Sequence, residues 1–333
     1  RIYAEDPDKN FLPSIGRLTH LVPPPASDCV RIDTGVEQGD AISPYYDPMI
    51  AKLIVWDDSE INPRTRALAR MQQALAQYQI VGVANNIDFL SRLVGCPAFV
   101  EARLDTGLIE REQAFLFPPA SAPPREVLLV TVLAELLQER QCALAGARGE
   151  TNPHAPWPLA DGWRLNAQAQ RRLRVSCGEH EQDVSVTYGS ADYQLTVDGQ
   201  PSTAHGELGA GGQLQAYFDG QRLSATVIRS GERRQVFVRD RAYTLAIIDP
   251  LHHAGEAEGA DGSLAAPMPG KIIALVATVG ARVDKGAPLL VMEAMKMEHT
   301  VTAPSSGTVK AFLFKVGEQV PEAADLVEFE PGA

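Results

Sequence analysis

The chain has 333 residues and a mass of 36.0 kDa, with 45% hydrophobic and 22% charged residues and a net charge of −12. That length suits two or three domains of ~100–200 residues each, and the apolar content excludes wholesale disorder. No apolar run reaches the ~18 residues of a bilayer span, and the acidic balance argues against nucleic acid or an anionic membrane as the main partner, because phosphate binding needs clustered Lys and Arg.

Only seven of the thirty basic residues are Lys, so a Lys in an unusual setting stands out. Cys29, Cys96, Cys142 and Cys177 lie far apart, and the seven histidines show no ligand spacing. Reduced thiols are expected, with neither a metal site nor a disulfide framework. The chain opens at Arg1 without an initiator Met. It is expected to be the back part of something longer, so targeting segments are not legible in it.

Residues 1–116 mix strand-like runs with a helix. Asn62 is expected to cap that helix and Pro63 to occupy its first turn, with Leu68, Met71, Leu75 and Tyr78 following at helical spacing. A Pro-rich break from Phe117 to Pro124 ends the region. Residues 117–251 open with Val127 to Leu137, which is apolar on nearly every side. As a helix this segment should be enclosed; a buried strand is the rival, and the length favours helix. Alternating segments follow, among them Val184–Tyr188, Tyr193–Val197, Leu214–Phe218, Leu223–Val227 and Tyr243–Ile247. Asp198-Gly199, Asp219-Gly220 and Ser230-Gly231 supply hairpin turns between them. A barrel or strongly curled sheet around the helix is expected. Residues 252–263, rich in Gly, Ala and acid, are expected to form a flexible tether.

Residues 264–331 contain an internal repeat. Positions 37 apart match at Ala266/Ala303, Pro267/Pro304, Gly270/Gly307, Ala274/Ala311, Val279/Val316, Gly280/Gly317, Val283/Val320, Ala287/Ala324 and Leu289/Leu326. That is nine identities in 24 positions, where ordinary residue frequencies give roughly one or two. Each copy alone would leave an apolar face uncovered, so the two should pack as a flattened pseudo-twofold β-sandwich. Between the copies lies Val291-Met292-Glu293-Ala294-Met295-Lys296-Met297-Glu298-His299. Strand-like residues flank a centre that must turn, which puts Lys296 at or beside a hairpin tip. A solitary Lys is ordinarily a solvated turn residue. The repeat, the tip and the flanking Met295 and Met297 set this one apart as an exposed amine open to acylation.

Glu293-Ala294-Met295-Lys296-Met297, preceded by Ala266-Pro267-Met268-Pro269-Gly270, resembles the biotin carboxyl carrier domain of biotin-dependent carboxylases. The resemblance implies biotin in amide linkage on Lys296, between Met295 and Met297. Arg1-Ile2-Tyr3-Ala4-Glu5-Asp6-Pro7, Phe11-Leu12-Pro13-Ser14 and Tyr45-Tyr46-Asp47-Pro48-Met49 resemble the C-terminal subdomain of biotin carboxylase. Val30-Arg31-Ile32-Asp33 matches that family's stretch whose Arg contacts the ureido oxygen of biotin, so Arg31 inherits this catalytic role; a surface ion pair is the alternative for it. The Tyr45–Met49 run is expected to be scaffold. Gln77-Tyr78-Gln79-Ile80-Val81-Gly82, Asp161-Gly162-Trp163-Arg164 and Leu326-Val327-Glu328-Phe329 are similar to α subunits of methylcrotonyl-CoA carboxylase, with propionyl-CoA and geranyl-CoA carboxylases open as relatives.

The resemblance implies a multidomain, mostly β chain. An α+β subdomain occupies 1–116, a subunit-joining barrel around a long helix 117–251, a linker 252–263 and a duplicated biotinyl sandwich 264–331. It implies an acyl-CoA carboxylase, a ligase, in a hetero-oligomer with a carboxyltransferase β subunit. Biotin-protein ligase, bicarbonate and acyl-CoA are its other partners, and 3-methylcrotonyl-CoA from leucine breakdown the expected substrate. ATP and Mg belong to the intact subunit only; no phosphate-cradling loop occurs in these residues, so the chain alone is not expected to bind ATP. The bacterial cytoplasm, or the mitochondrial matrix in a eukaryote, is the expected place. Two alternatives remain: a carrier and docking module without its own catalytic residue, and a lipoyl carrier, whose lysine usually lies between Asp and Ala.

Overall fold

The structure, a computed structural model, describes residues 1–147, 162, 164–189, 192–248, 264–266, 269–294, 297–321 and 323–331. Two compact units divide the chain: residues 1–105 with 256–333, and residues 106–255.

In the first region β1 (Ile2–Tyr3), β2 (Glu5–Asp6), β3 (Leu12–Pro13), β4 (Gly16–Arg17), β5 (His20–Val22), β6 (Val30–Thr34), β7 (Ala41–Ile42) and β8 (Met49–Val55) precede helix α1 (Pro63–Gln77). After it come β9 (Gln79–Val81) and α2 (Ile87–Gly95). The order β1-β8-β6 makes a three-stranded antiparallel sheet, while β2-β3, β4-β7 and β5-β9 are separate pairs. On β8, Ile50, Ala51 and Leu53 are buried and Met49 and Lys52 are exposed. The buried side joins Ile2, Leu18, Leu75, Tyr78 and Ile80 in one core. Gly82 follows β9 with φ +117°, and a Cβ there would stand 1.9 Å from the Arg17 carbonyl oxygen. Only glycine lets these two backbones approach so closely.

The expected helix is present, but Asn62 does not cap it with its side chain. Asn62 has φ 51° and ψ 51°, and only its carbonyl joins the helix, accepting from the Arg66 amide at 3.2 Å. A side-chain cap needs an extended backbone at that residue to aim its oxygen at the first free amides; left-handed Asn62 turns it away.

In the second unit α3 (Pro97–Val100) of the first has already ended, and α4 (Leu108–Arg111) and α5 (Gln113–Leu116) lead to the 23-residue α6 (Arg125–Ala147). Eight strands then close an antiparallel barrel: β10 (Gln170–Cys177), β11 (His180–Tyr188), β12 (Tyr193–Val197), β13 (Gln200–Leu208), β14 (Gln213–Phe218), β15 (Gln221–Ser230), β16 (Arg233–Val238) and β17 (Arg241–Ile248). Closure pairs β17 back to β10 and removes the open edges that invite association. Val127 to Leu137 are buried on every side of α6, within a core shared with Leu173, Val184, Leu195, Leu214, Val236 and Leu245. An enclosed helix needs this all-round apolar surface. It has two polar exceptions: Thr131, whose hydroxyl donates to the Val127 carbonyl at 2.7 Å, and Glu135, bonded to Arg234 of β16 by Nε at 2.8 Å and by Nη2 at 2.7 Å. The turns Asp198-Gly199 and Asp219-Gly220 have positive φ at both residues, as a two-residue hairpin loop requires.

The duplicated segment forms two sheets. One is ordered β21 (Met297–Thr302), β20 (Pro288–Ala294), β18 (Gly270–Leu275), β23 (Gln319–Val320); the other is β19 (Arg282–Val283), β22 (Gly307–Phe312), β24 (Val327–Pro331). Its twofold repeat appears bond by bond. Gly280 N donates to Val309 O and Gly317 N donates to Ile272 O, both at 2.8 Å; Ala266 N donates to Ala324 O and Ala303 N to Ala287 O. Each pair is the other shifted by 37 positions. Matching bulges interrupt β18 between Ile272 and Ala274 and β22 between Val309 and Ala311. Ala266 and Ala303, and Leu289 and Leu326, are buried as equivalent pairs. The expected tether at 252–263 lies outside the described residues. The four cysteines are free thiols. Among the described residues no helix is long and apolar enough to cross a membrane.

Candidate functional site

Arg31 stands on β6, on the exposed side of the β1-β8-β6 sheet, with its side chain 66% accessible. Strand geometry returns every second side chain to the same face, so Arg31 and Asp33 lie side by side. The guanidinium donates to both Asp33 oxygens, from Nε at 2.8 Å and Nη2 at 3.3 Å. That bond holds the Asp33 carboxyl below its ordinary range, with further help from the charges of Arg31 and Lys52. Lys52 is Asp33's register partner across β6 and β8. The sheet thus offers an exposed fork, braced by a carboxylate, beside an exposed ammonium. A guanidinium keeps its charge throughout the physiological range and can direct its remaining donors at an oxyanion. The sequence alone named Arg31 and missed its neighbours. The i, i+2 spacing was a usable signal for Asp33; Lys52 becomes a neighbour only through the strand pairing.

The Tyr45-Tyr46 part of the loop between β7 and β8 stands out from the packed structure. Tyr45 and Tyr46 are 75% and 80% exposed, whereas Pro48 and Ile50 beyond them are buried. Their rings therefore contribute no packing to the core of this chain.

The second site is the β20–β21 hairpin. Leu290 pairs with Val301, Val291 with Thr300, Met292 with His299, Glu293 with Glu298 and Ala294 with Met297. Met292 and Leu290 are fully buried and anchor the base. Since Ala294 and Met297 pair, the positions between the strands are 295 and 296. Met295 and Lys296 themselves lie outside the described residues, and of Met297 the structure describes the backbone. The hairpin base is a paired ladder over a packed sandwich, a firm mount for a covalently attached group. Trp163 also lies outside the described residues. Arg31 and the hairpin both belong to the unit formed by 1–105 and 256–333.

Residues 1–111 match the biotin carboxylase C-terminal domain, 124–250 the BT domain of the methylcrotonyl-CoA carboxylase α subunit, and 262–329 the biotin-requiring enzyme domain. The chain is 36% identical over 335 aligned positions to the mitochondrial methylcrotonoyl-CoA carboxylase subunit α of Mus musculus, covering 99% of this chain and 46% of that protein. The Dictyostelium discoideum counterpart is 34% identical, with 98% and 47% covered. The propionyl-CoA carboxylase α chain of Caenorhabditis elegans is 34% identical, with 91% and 43% covered. The chain spans about half the length of the curated relatives it matches. The chain thus matches, in this order, the biotin carboxylase C-terminal, BT and biotin-requiring enzyme domains, and over nearly its whole length it is similar to α subunits of methylcrotonoyl-CoA carboxylase.

Proposed function

We propose that Lys296 carries biotin in amide linkage and that the chain acts within a methylcrotonyl-CoA carboxylase α subunit. The single observation behind this is the hairpin: two paired strands from the seam of a duplicated sandwich leave positions 295 and 296 between Ala294 and Met297. Biotin attached there supplies the ring nitrogen that carries a carboxyl group from bicarbonate to an acyl-CoA. The residues present fit it, because the buried Met292 and Leu290 hold the hairpin base while the sequence places the one amine of the 291–301 segment at the tip.

Arg31 has the matching task on the carboxylating side. Held by Asp33 through Nε and Nη2, its remaining donors would face the ureido oxygen of biotin and would stabilise negative charge there. The barrel joins this subunit to a carboxyltransferase β subunit, in a hetero-oligomer that also meets a biotin-protein ligase, with ATP and Mg handled by the remainder of the intact subunit. In a eukaryotic host the place of work is the mitochondrial matrix; in a bacterium it is the cytoplasm.

The test is ATP-dependent fixation of labelled bicarbonate by the full-length α subunit with its β subunit, offered 3-methylcrotonyl-CoA, propionyl-CoA and geranyl-CoA in turn. Fixation into 3-methylcrotonyl-CoA, abolished by Lys296→Arg, is expected. Preference for propionyl-CoA would move the subunit to the sister enzyme, consistent with the 34% identity to that relative; fixation that survives Lys296→Arg would refute the assignment of the carrier lysine.

A further inference from the structure

The Phe11-Leu12-Pro13 segment takes no part in the chemistry above, yet its backbone is unusual. Asn10 and Phe11 are consecutive non-glycine residues with φ of 55° and 58°. The left-handed region crowds Cβ against the next carbonyl and is rare for a bulky side chain. Phe11 is held there by an edge-to-face contact with Phe89 of α2, with ring centroids 4.9 Å apart and planes at 83°. Phe89 is itself buried, so the turn rests on a buried ring of α2.

What this held turn presents is Leu12. The residue pairs with Asp6 across β2 and β3, and its side chain packs against the buried core of the duplicated sandwich, the cluster containing Leu289, Met292 and Val309. We infer that the Asn10–Pro13 turn is a seat for the chain's own carrier sandwich, with Leu12 as its apolar knob. The inference rests on 264–331 being a carrier, and not on biotin being attached. Backbone strain persists where neighbouring groups over-determine it, and the Phe11–Phe89 contact supplies that restraint. A single apolar knob makes a weak contact, which suits a domain that must leave as readily as it arrives. Attachment to the same chain raises the local concentration enough for a weak contact to be occupied.

The test is amide relaxation by nuclear magnetic resonance on the full chain without biotin. In the wild type, amides of β18, β20 and β22 should share the correlation time of β6 and β8. In Leu12→Asp the sandwich's correlation time should shorten by about twofold, as for a tethered domain tumbling on its own, while Leu12→Met keeps the wild-type value. Chemical shifts of β6 and β8 report whether the first region stays folded; if Leu12→Asp disturbs them, Leu12→Ser provides the same comparison. A sandwich that already tumbles independently in the wild type, or one that stays held in the polar variants, overturns the inference. Either failure leaves attachment at Lys296 untouched, because no biotin enters the measurement.

Discussion

Arg31 shows how a residue can be legible by type and illegible by setting. Its motif names it, but its partner Asp33 comes from strand periodicity and Lys52 from cross-strand register. Because its side chain is 66% accessible, Arg31→Ala should leave the midpoint of thermal unfolding essentially unchanged. In the full-length enzyme the same change should lower the rate of bicarbonate-dependent biotin carboxylation by about a hundredfold, the usual cost of removing an oxyanion donor. Arg31→Lys should not restore it, since an ammonium lacks the fork. An unchanged rate would reduce Arg31 to a surface ion pair and leave the chain a carrier and docking module. Glu5 offers a prediction in pH. Burial, and then the charge of Asp47, hold its carboxyl above the ordinary range. An acid whose folded value is raised disfavours the fold once ionised, so its cost grows as pH rises from the unfolded value through the folded one. Glu5→Gln should therefore raise the midpoint of thermal unfolding at neutral pH, and the gain should vanish below about pH 4, where both states are protonated. A gain that persists in acid would place its origin elsewhere.

At the scale of elements, the barrel shows where apolar pattern suffices and where it does not. Helix α6 was readable because Val127 to Leu137 leaves no polar face, and the Asp-Gly turns announced two hairpins. Strands β10, β13 and β16 were less distinct. Arg171, Arg172 and Arg174 dilute the alternation of β10, Pro201 and Gly206 interrupt β13, and Arg233-Arg234 opens β16. The Arg239-Asp240 turn carries positive φ at both residues without a glycine, so its hairpin had no sequence signal. Arg234 is the instructive exception, because it is charged and yet faces inward. It is buried against Glu135 of α6, with a further bond from Nη1 to the Gly231 carbonyl at 2.7 Å. Removing Glu135 should strand the buried Arg234 charge, whereas Arg229, 3.6 Å from Glu135, stays beside the carboxylate when Arg234 is removed. Glu135→Ala should cost about 3–5 kcal/mol in chemical denaturation, and Arg234→Ala less. Replacing both with Leu should cost far less than the sum, since an apolar pair of similar volume is often neutral there. Additive losses would mean that the two side chains act independently.

Across the whole molecule, the duplicated sandwich was the most legible part because symmetry is written twice. A spacing of 37 visible in nine identities returns as reciprocal backbone bonds between the copies. The first region was readable as a family member, but its short strands, several of only two residues, are too brief for periodicity to reveal. The Asn62 cap failed for a related reason, since a backbone turn of one residue leaves no trace in composition. The central claim concerns a side chain at the seam of the repeat, and peptide mass mapping after co-expression with a biotin-protein ligase, with Lys296→Arg as control, tests it most directly. The account predicts a biotin adduct on Lys296 alone, absent from the control. A bare Lys296 on folded protein, an adduct at another lysine, or a lipoyl adduct would contradict it.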